Sequence, residues 1–130
     1  MHLNPKCLFN STDYGFSQIV ISDPGKHVFI SGQVAWDENR KIAGKGNLET
    51  QVQKSIDNLA LAMQVAGGTL KEIVMLRIYI VDYDEAAGTI VGNALRKNFG
   101  TENPPASTWV SVQGLANPDF LFEIEAQAVL

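Results

Sequence analysis

The feature that most limits how this chain can fold is an apolar stretch flanked by two helical patterns. Val74 to Val81 (VMLRIYIV) is rich in β-branched residues and alternates in polarity, which is typical of a strand. Upstream, apolar residues recur every three or four positions and predict one long helix, which Asn47 caps and Gly67-Gly68 ends. Downstream, Asp84 can cap a second helix, which stops near Gly100.

Four further segments have the composition of strands: Ser17 to Ser22, Lys26 to Val34, Ala106 to Gln113 and Leu121 to Val129. The turn signal Asp23-Pro24-Gly25 predicts that the first two form a hairpin. The order β-β-α-β-α-β-β predicts an α+β fold, in which two helices pack on one face of a mixed sheet. At this length, residues 1–130 are expected to form a single domain.

The face of the sheet that the helices leave uncovered is predicted to be polar but unusually aromatic. Because strand residues alternate between faces, it collects His27, Phe29, Ser31, Gln33, Arg77, Tyr79, Ser107, Trp109, Ser111, Gln113, Glu123, Glu125 and Gln127. Exposed aromatic clusters mark an interface or a ligand site. We therefore expect a second copy of the chain to cover this face; the alternative is an ordinary half-exposed sheet with a few stray aromatics.

Composition and charge argue against several classes of partner. The net charge is -4 and the ten Lys and Arg residues are scattered, which disfavours nucleic-acid binding. No apolar stretch approaches the length of a spanning helix and the N-terminus carries no signal pattern, so no membrane partner is expected. Cys7 is the only cysteine; it excludes an intramolecular disulfide and favours a cytoplasmic location.

Two carboxylates on the last strand are the best candidates for chemistry. Glu123 and Glu125 point to the same face, and paired carboxylates can divide acid and base roles or activate water. Arg77 could clamp a substrate carboxylate, although an ion pair with one of these glutamates is the simpler interpretation. Ser31, beside Gly32, could bind a ligand or merely satisfy the sheet. The two histidines lack a partner at ligand spacing, so no metal site is predicted.

Six short motifs in sequence order carry a family resemblance: Gly15-Phe16-Ser17-Gln18, Phe29-Ile30-Ser31-Gly32-Gln33, Asn58-Leu59, Ala66-Gly67-Gly68, Pro105-Ala106 and Phe122-Glu123-Ile124-Glu125-Ala126. Together they resemble the RidA/YjgF family, also labelled endoribonuclease L-PSP or translation-inhibitor proteins. The resemblance implies a chorismate-mutase-like fold of the bacillus type and a homotrimer with small-molecule clefts between subunits. It also implies hydrolysis of reactive imines and enamines to ketoacids and ammonia, without a metal or organic cofactor.

The resemblance also implies which residues form the site, and it shows three departures from the family pattern. Glu123 keeps the place of the water-orienting catalytic glutamate. Ser107 stands where deaminating members have a substrate-clamping arginine, Phe16 where they usually have a tyrosine, and Ile90 where an asparagine is expected. The expected ligand-binding positions are Phe16, Ser31, Gly32, Arg77, Ile90, Ser107 and Trp109.

The loss of the arginine is the departure with the largest expected effect. A charge-assisted bidentate contact is about twice as strong as a neutral hydrogen bond, so Ser107 disfavours standard 2-iminoacid deamination. A neutral or differently charged ligand near Trp109 is expected instead, unless Arg77 substitutes. Three functions stay open: a hydrolase acting on a C=N or related bond, a noncatalytic metabolite-binding trimer, and an endoribonuclease or translation inhibitor, which the acidic charge disfavours.

Overall fold

A computed structural model describes residues 1–130, and its main layer is a four-stranded sheet with two helices against one face. The strands and helices are β1 (His2–Leu3), β2 (Ile19–Val20), β3 (His27–Gln33), α1 (Leu48–Ala66), β4 (Ile73–Val81), α2 (Glu85–Phe99), β5 (Ala106–Val112) and β6 (Phe122–Val129). The sheet order is β3-β6-β4-β5, in which β4 and β5 are parallel and the other pairs antiparallel. The predicted α+β fold is confirmed.

Both helices begin at the polar residues that the sequence indicates. The Asn47 side chain accepts a hydrogen bond from the Thr50 backbone N–H at 3.0 Å, and the Asp84 side chain accepts one from Ala87 at 2.7 Å. Such caps satisfy backbone donors that the first helical turn leaves free. Gly67 ends α1 with φ 95°, a left-handed conformation that favours glycine. Neither helix is long and apolar enough to cross a membrane.

The core lies between the helices and the sheet. Its largest members include Val52, Ile56, Leu59 and Met63 from α1, Leu76, Ile78 and Ile80 from β4, and Phe122 and Ile124 from β6. Burying one such side chain contributes roughly 1.5–3 kcal/mol. The apolar stripe of α1 and the alternate positions of β4 and β6 therefore fix which sheet face the helices cover. We call the opposite side the open face.

The predicted hairpin between the first two strand segments is wrong. Ile19 of β2 pairs with Leu3 of β1, in a small sheet of its own. The strand β3 pairs with β6 instead, and the ladder extends to Lys26 and Leu130, which exchange backbone hydrogen bonds of 2.7 and 2.9 Å. Because β6 buries every second residue, it is the better partner for β3; the Asp-Pro-Gly turn only redirects the chain.

The faces predicted for β5 are also wrong. Its parallel register with β4 places Ser107 opposite Leu76 and Trp109 opposite Ile78, so both side chains lie on the helix side of the sheet. Val110 lies opposite Tyr79 on the other side of the sheet and is 43% exposed. The segment alternates small polar residues with Trp and Val, so neither set of positions is clearly the apolar one. The register with β4 decides the question.

Candidate functional site

Four side chains on β4 and β6 form a group on the open face, the carboxylate cluster: Arg77, Tyr79, Glu123 and Glu125. Arg77 lies opposite Glu125 in the ladder, and Tyr79 lies opposite Glu123. The Arg77 guanidinium donates to Glu125 Oε1 at 3.0 Å, and the Tyr79 hydroxyl donates to the same oxygen at 3.3 Å. Both donors thus bind Glu125, and neither binds Glu123. The ion pair considered for Arg77 from the sequence is present.

Glu123 has the environment of a carboxyl group that can exchange a proton. Its side chain is half-buried, and this burial raises the pKa of Glu123 above the usual value for glutamate. The negative charge of Glu125 raises that pKa further. A carboxyl group whose pKa moves towards neutrality is a better proton shuttle than an ordinary surface glutamate.

Gly32 provides the space that the Glu123 carboxylate occupies. A Cβ added at Gly32 would overlap Glu123 Oε1, and it would lie 2.7 Å from the carboxyl carbon and 2.9 Å from Cγ. Gly32 sits where the register between β3 and β6 shifts. The shift pairs Gln33 with Ile124, so Gln33 leaves the open face on which it was predicted. The bulge, Gly32 and Glu123 therefore form one structural unit.

A cavity of about 240 Å³ lies on the open face beside the carboxylate cluster. Its walls are Phe29, Ile30, Ser31, Met75, Arg77, Glu125, Ala126 and Gln127. Ser31 and Arg77 are thus brought together, and the positive charge of Arg77 is already paired with Glu125. Phe29 is 74% exposed and stacks with His27 at 6.4 Å between ring centroids. An exposed aromatic pair beside a cavity is typical of a surface that a partner covers.

A second group lies on the helix side at the edge of the sheet, the edge cluster: Phe9, Tyr14, Phe16, Ser107 and Trp109. The Trp109 indole N–H donates to Ser107 Oγ at 2.9 Å. The ring centroids of Phe16 lie 6.0 Å from Trp109 and 6.2 Å from Phe9, and those of Phe9 and Tyr14 lie 6.1 Å apart. The four rings line a cavity of about 310 Å³.

The segment before β2 holds Phe16 against β5. Ser17 forms a parallel bridge with Ala106, its backbone N–H donates to Pro105 O at 3.0 Å, and its hydroxyl donates to Pro104 O at 2.6 Å. Sequence reasoning identified Phe16 but missed Phe9 and Tyr14. These residues follow no strand or helix period, so no pattern in the sequence pointed to them.

The predicted site residues therefore fall into separate places within one chain. Glu123, Gly32, Ser31 and Arg77 lie on the open face, whereas Phe16, Ser107 and Trp109 form part of the edge cluster. Ile90 belongs to neither group: it lines a groove of about 620 Å³ between α1 and α2. No three His, Cys, Asp or Glu side chains lie together as metal ligands would.

Comparison with known proteins supplies the family. The model of the endoribonuclease L-PSP family matches residues 11–130. The chain belongs to this family. A crystal structure of a Rid-family protein of unknown function from Yersinia pestis is 34% identical, with a TM-score of 0.96 over 100% of this chain and 98% of that one. The recognised RidA/YjgF membership is thus confirmed.

Two curated relatives carry more specific names. A 3-aminoacrylate deaminase RutC of Acinetobacter baylyi is 29% identical over 101 residues, which are 78% of this chain and 77% of the relative. A RutC family protein of Pyrococcus abyssi is 29% identical over 104 residues, 80% of this chain and 79% of the relative. These relatives place the chain among deaminase-like proteins at the level of the family.

Proposed function

We propose that this protein is a small-molecule hydrolase of the deaminase type, which acts on a C=N or related bond with Glu123 as the group that handles water. The observation that carries the proposal is the state of Glu123. It is half-buried over Gly32, its pKa is raised by burial, and neither Arg77 nor Tyr79 binds it. The relative named 3-aminoacrylate deaminase supports the reaction class.

The proposed reaction consumes one water and releases ammonia. The Glu123 carboxylate accepts a proton from water while the water oxygen bonds to the imine carbon, and the C=N π electrons move to nitrogen, which takes up a proton from solvent. Glu123 then returns its proton to the nitrogen of this tetrahedral adduct. The C–N bond breaks, ammonia leaves, and the remaining hydroxyl returns one proton to solvent as it becomes the carbonyl, so that imine and water give a carbonyl compound and ammonia. One carboxyl group of raised pKa serves both steps.

The proposed cleft lies between copies of the chain. The edge cluster and the carboxylate cluster lie on opposite sides of the sheet, and side chains on opposite faces point away from each other. A ligand that contacts both Glu123 and Ser107 must therefore use Glu123 of one copy and Ser107 of another. A homotrimer, which the family resemblance implies, would supply such pairs of surfaces, and the exposed Phe29 supports coverage of the open face.

The substrate class is expected to differ from 2-iminoacids. Ser107 carries no charge, and its neighbours in the edge cluster are aromatic. Within a copy Arg77 lies on the other side of the sheet, and in the proposed cleft, which it enters together with Glu123, its charge is already paired with Glu125. A ligand carboxylate would therefore lose its hydration without gaining an unpaired cation.

The proposal also includes a cytoplasmic location, which the single cysteine favours.

The experiment is ammonia release from a panel of imines and enamines that includes charged 2-iminoacids and uncharged analogues. We expect turnover of uncharged members, and a decrease of at least about 100-fold in Glu123→Gln, since positioned general acid–base groups contribute about that much or more. Glu38→Gln, at an exposed turn, is the matched control and should retain activity. Undiminished turnover in Glu123→Gln would refute the assigned role.

A noncatalytic metabolite-binding trimer is the second candidate function. Two observations favour it: Ser107 replaces the cation of the deaminating members, and Glu125 occupies Arg77. A thermal-shift screen separates the candidates, because a ligand present at 100 times its Kd stabilises by about 2.7 kcal/mol. Stabilisation by a metabolite that is recovered unchanged supports binding alone.

An endoribonuclease or translation-inhibitor function is the third candidate, and only the family label favours it. The net charge is -4, whereas RNA binding requires clustered Lys and Arg to neutralise phosphates. RNA cleavage by a highly purified sample, abolished in Glu123→Gln, would revive this function.

A further inference from the structure

The edge cluster has the composition of a pocket for an uncharged ring. Four aromatic side chains line its cavity, and Phe9 and Tyr14 are 62% and 55% exposed. We infer that this cluster is the specificity pocket of the proposed cleft, and that it takes an aromatic, uncharged substrate bearing a carbonyl oxygen that Ser107 binds. This inference rests on the proposed function for its catalytic meaning, but the binding itself can be tested without turnover.

Ser107 does not line this cavity itself, but its hydroxyl is bonded to the lining residue Trp109 and keeps a proton to donate. Its oxygen accepts the indole N–H of Trp109 at 2.9 Å, and indole has no other polar hydrogen to offer. The hydroxyl carries one proton of its own, which is free to be donated to a ligand. A neutral carbonyl oxygen is the matching acceptor.

Arg96 of α2 does not direct its positive charge into this pocket. The Arg96 guanidinium donates to the Asp13 carbonyl at 2.6 Å and to the Asn93 side chain at 2.8 Å. It lines a neighbouring depression with Tyr14, not the cavity of the edge cluster. A carboxylate in the edge cluster would be desolvated by rings and held by neutral donors only, which disfavours anions.

The volume and the geometry of the rings suit one aromatic ring. The depression between these rings is open to solvent, and its volume of about 310 Å³ leaves room for one aromatic ring. Phe9 meets Tyr14 and Phe16 edge to face, at interplanar angles of 73° and 72°. An aromatic ligand ring can pack edge to face against them in the same way. A saturated ring has no such quadrupole and loses this attraction.

Isothermal titration with three matched probes tests the inference: benzamide, benzoate and cyclohexanecarboxamide. Benzamide and benzoate differ in charge, benzamide and cyclohexanecarboxamide differ in the aromatic character of the ring, and all three have nearly the same shape. We expect benzamide to bind the wild-type protein about tenfold or more tightly than benzoate. Cyclohexanecarboxamide should bind about threefold or more weakly than benzamide. Equal or tighter binding of benzoate, or no measurable binding of benzamide, would overturn the inference.

Variants of Ser107 show whether the hydroxyl makes the contact. Ser107→Ala should weaken benzamide binding about threefold to tenfold, the usual loss for one hydrogen bond. Ser107→Thr keeps the hydroxyl, as donor to the ligand and as acceptor for Trp109, and should retain most of the affinity. Ser107→Arg should reverse the preference in favour of benzoate. A preference that is unchanged in both Ser107→Ala and Ser107→Arg contradicts the assignment.

Two further variants locate the binding and separate it from catalysis. Phe9→Ala should weaken benzamide binding, whereas Val65→Ala, at a position that is 90% exposed on α1, should not. Glu123→Gln should keep benzamide binding while losing turnover. If the wild type binds benzamide but releases ammonia from no imine or enamine of the panel, the specificity pocket is supported and the hydrolase is refuted. If the wild type turns over charged substrates only, and this turnover depends on Glu123, the hydrolase is supported and the specificity pocket for an uncharged ring is refuted.

Discussion

Substitution of Gly32 by alanine should displace the Glu123 carboxylate without unfolding the protein. The new Cβ would overlap Glu123 Oε1 and approach its Cδ and Cγ at 2.7 and 2.9 Å. The backbone of Gly32 is not left-handed, so alanine is compatible with its conformation. The clash is therefore with a flexible side chain, which must leave its present rotamer.

The size of the effect follows from two opposing contributions. Forcing Glu123 off its rotamer costs about 0.5–1.5 kcal/mol. Replacing glycine by alanine stabilises by about 0.4–1 kcal/mol, because the unfolded chain loses freedom. The net change in the free energy of unfolding should thus stay within about 1 kcal/mol, which is a few degrees in Tm. Ammonia release, in contrast, should decrease about as far as in Glu123→Gln, at least about 100-fold.

A double-mutant cycle isolates the contact between these two residues. In Glu123→Ala the overlapped atoms are absent, so adding Gly32→Ala should be more favourable by about 1 kcal/mol than in the wild-type background. Urea unfolding of the four proteins measures this difference. If Gly32→Ala has the same effect in both backgrounds, the contact does not position Glu123 and the reasoning is refuted.

Substitutions at three other positions test single features of the structure. Glu125→Gln should lower the pKa of Glu123, followed by NMR titration, because it removes the neighbouring negative charge. Because the pKa of Glu123 is raised in the folded state, this group contributes stability at a pH below its unfolded-state pKa of about 4.3. That stability is lost as the pH rises through the folded-state pKa. Glu125→Gln should reduce this loss. An unchanged titration contradicts the cause assigned to the shift. Asn47→Ala should destabilise α1 by about 1 kcal/mol in urea unfolding, while Asn47→Asp should not. Leu59→Ala should cost about 2–5 kcal/mol, and a cost near zero would contradict its place in the core.

The sequence predicts those elements whose partners are marked by periodicity. The stripe of α1 and the alternation of β4 and β6 each leave one consistent arrangement, and their caps add local signals such as Asn47 and Asp84. The pairing of β3 with β6 was not predictable in this way. It joins segments far apart in the sequence, and a strong local turn suggested a nearer partner.

The sequence identifies many residues of the candidate site, but it does not predict how these residues are arranged in space. The pattern of β5 leaves its two faces indistinguishable, so Ser107 and Trp109 were assigned to the open face, and only the register with β4 corrects them. The contact of Gly32 with Glu123 depends on a bulge, which shifts the alternation by one residue. Phe9 and Tyr14 lie in irregular backbone, where no period exists to identify them.

Mixed oligomers show whether Glu123 of one copy works with the edge cluster of another copy. Glu123→Gln and Trp109→Ala would each be measured alone and after co-expression. If each site takes one cluster from each of two neighbouring copies, random mixing restores about a quarter of the sites to wild type. Ammonia release should then return to about that fraction of the wild-type rate. A co-expressed sample no more active than the average of the two separate variants would contradict the account.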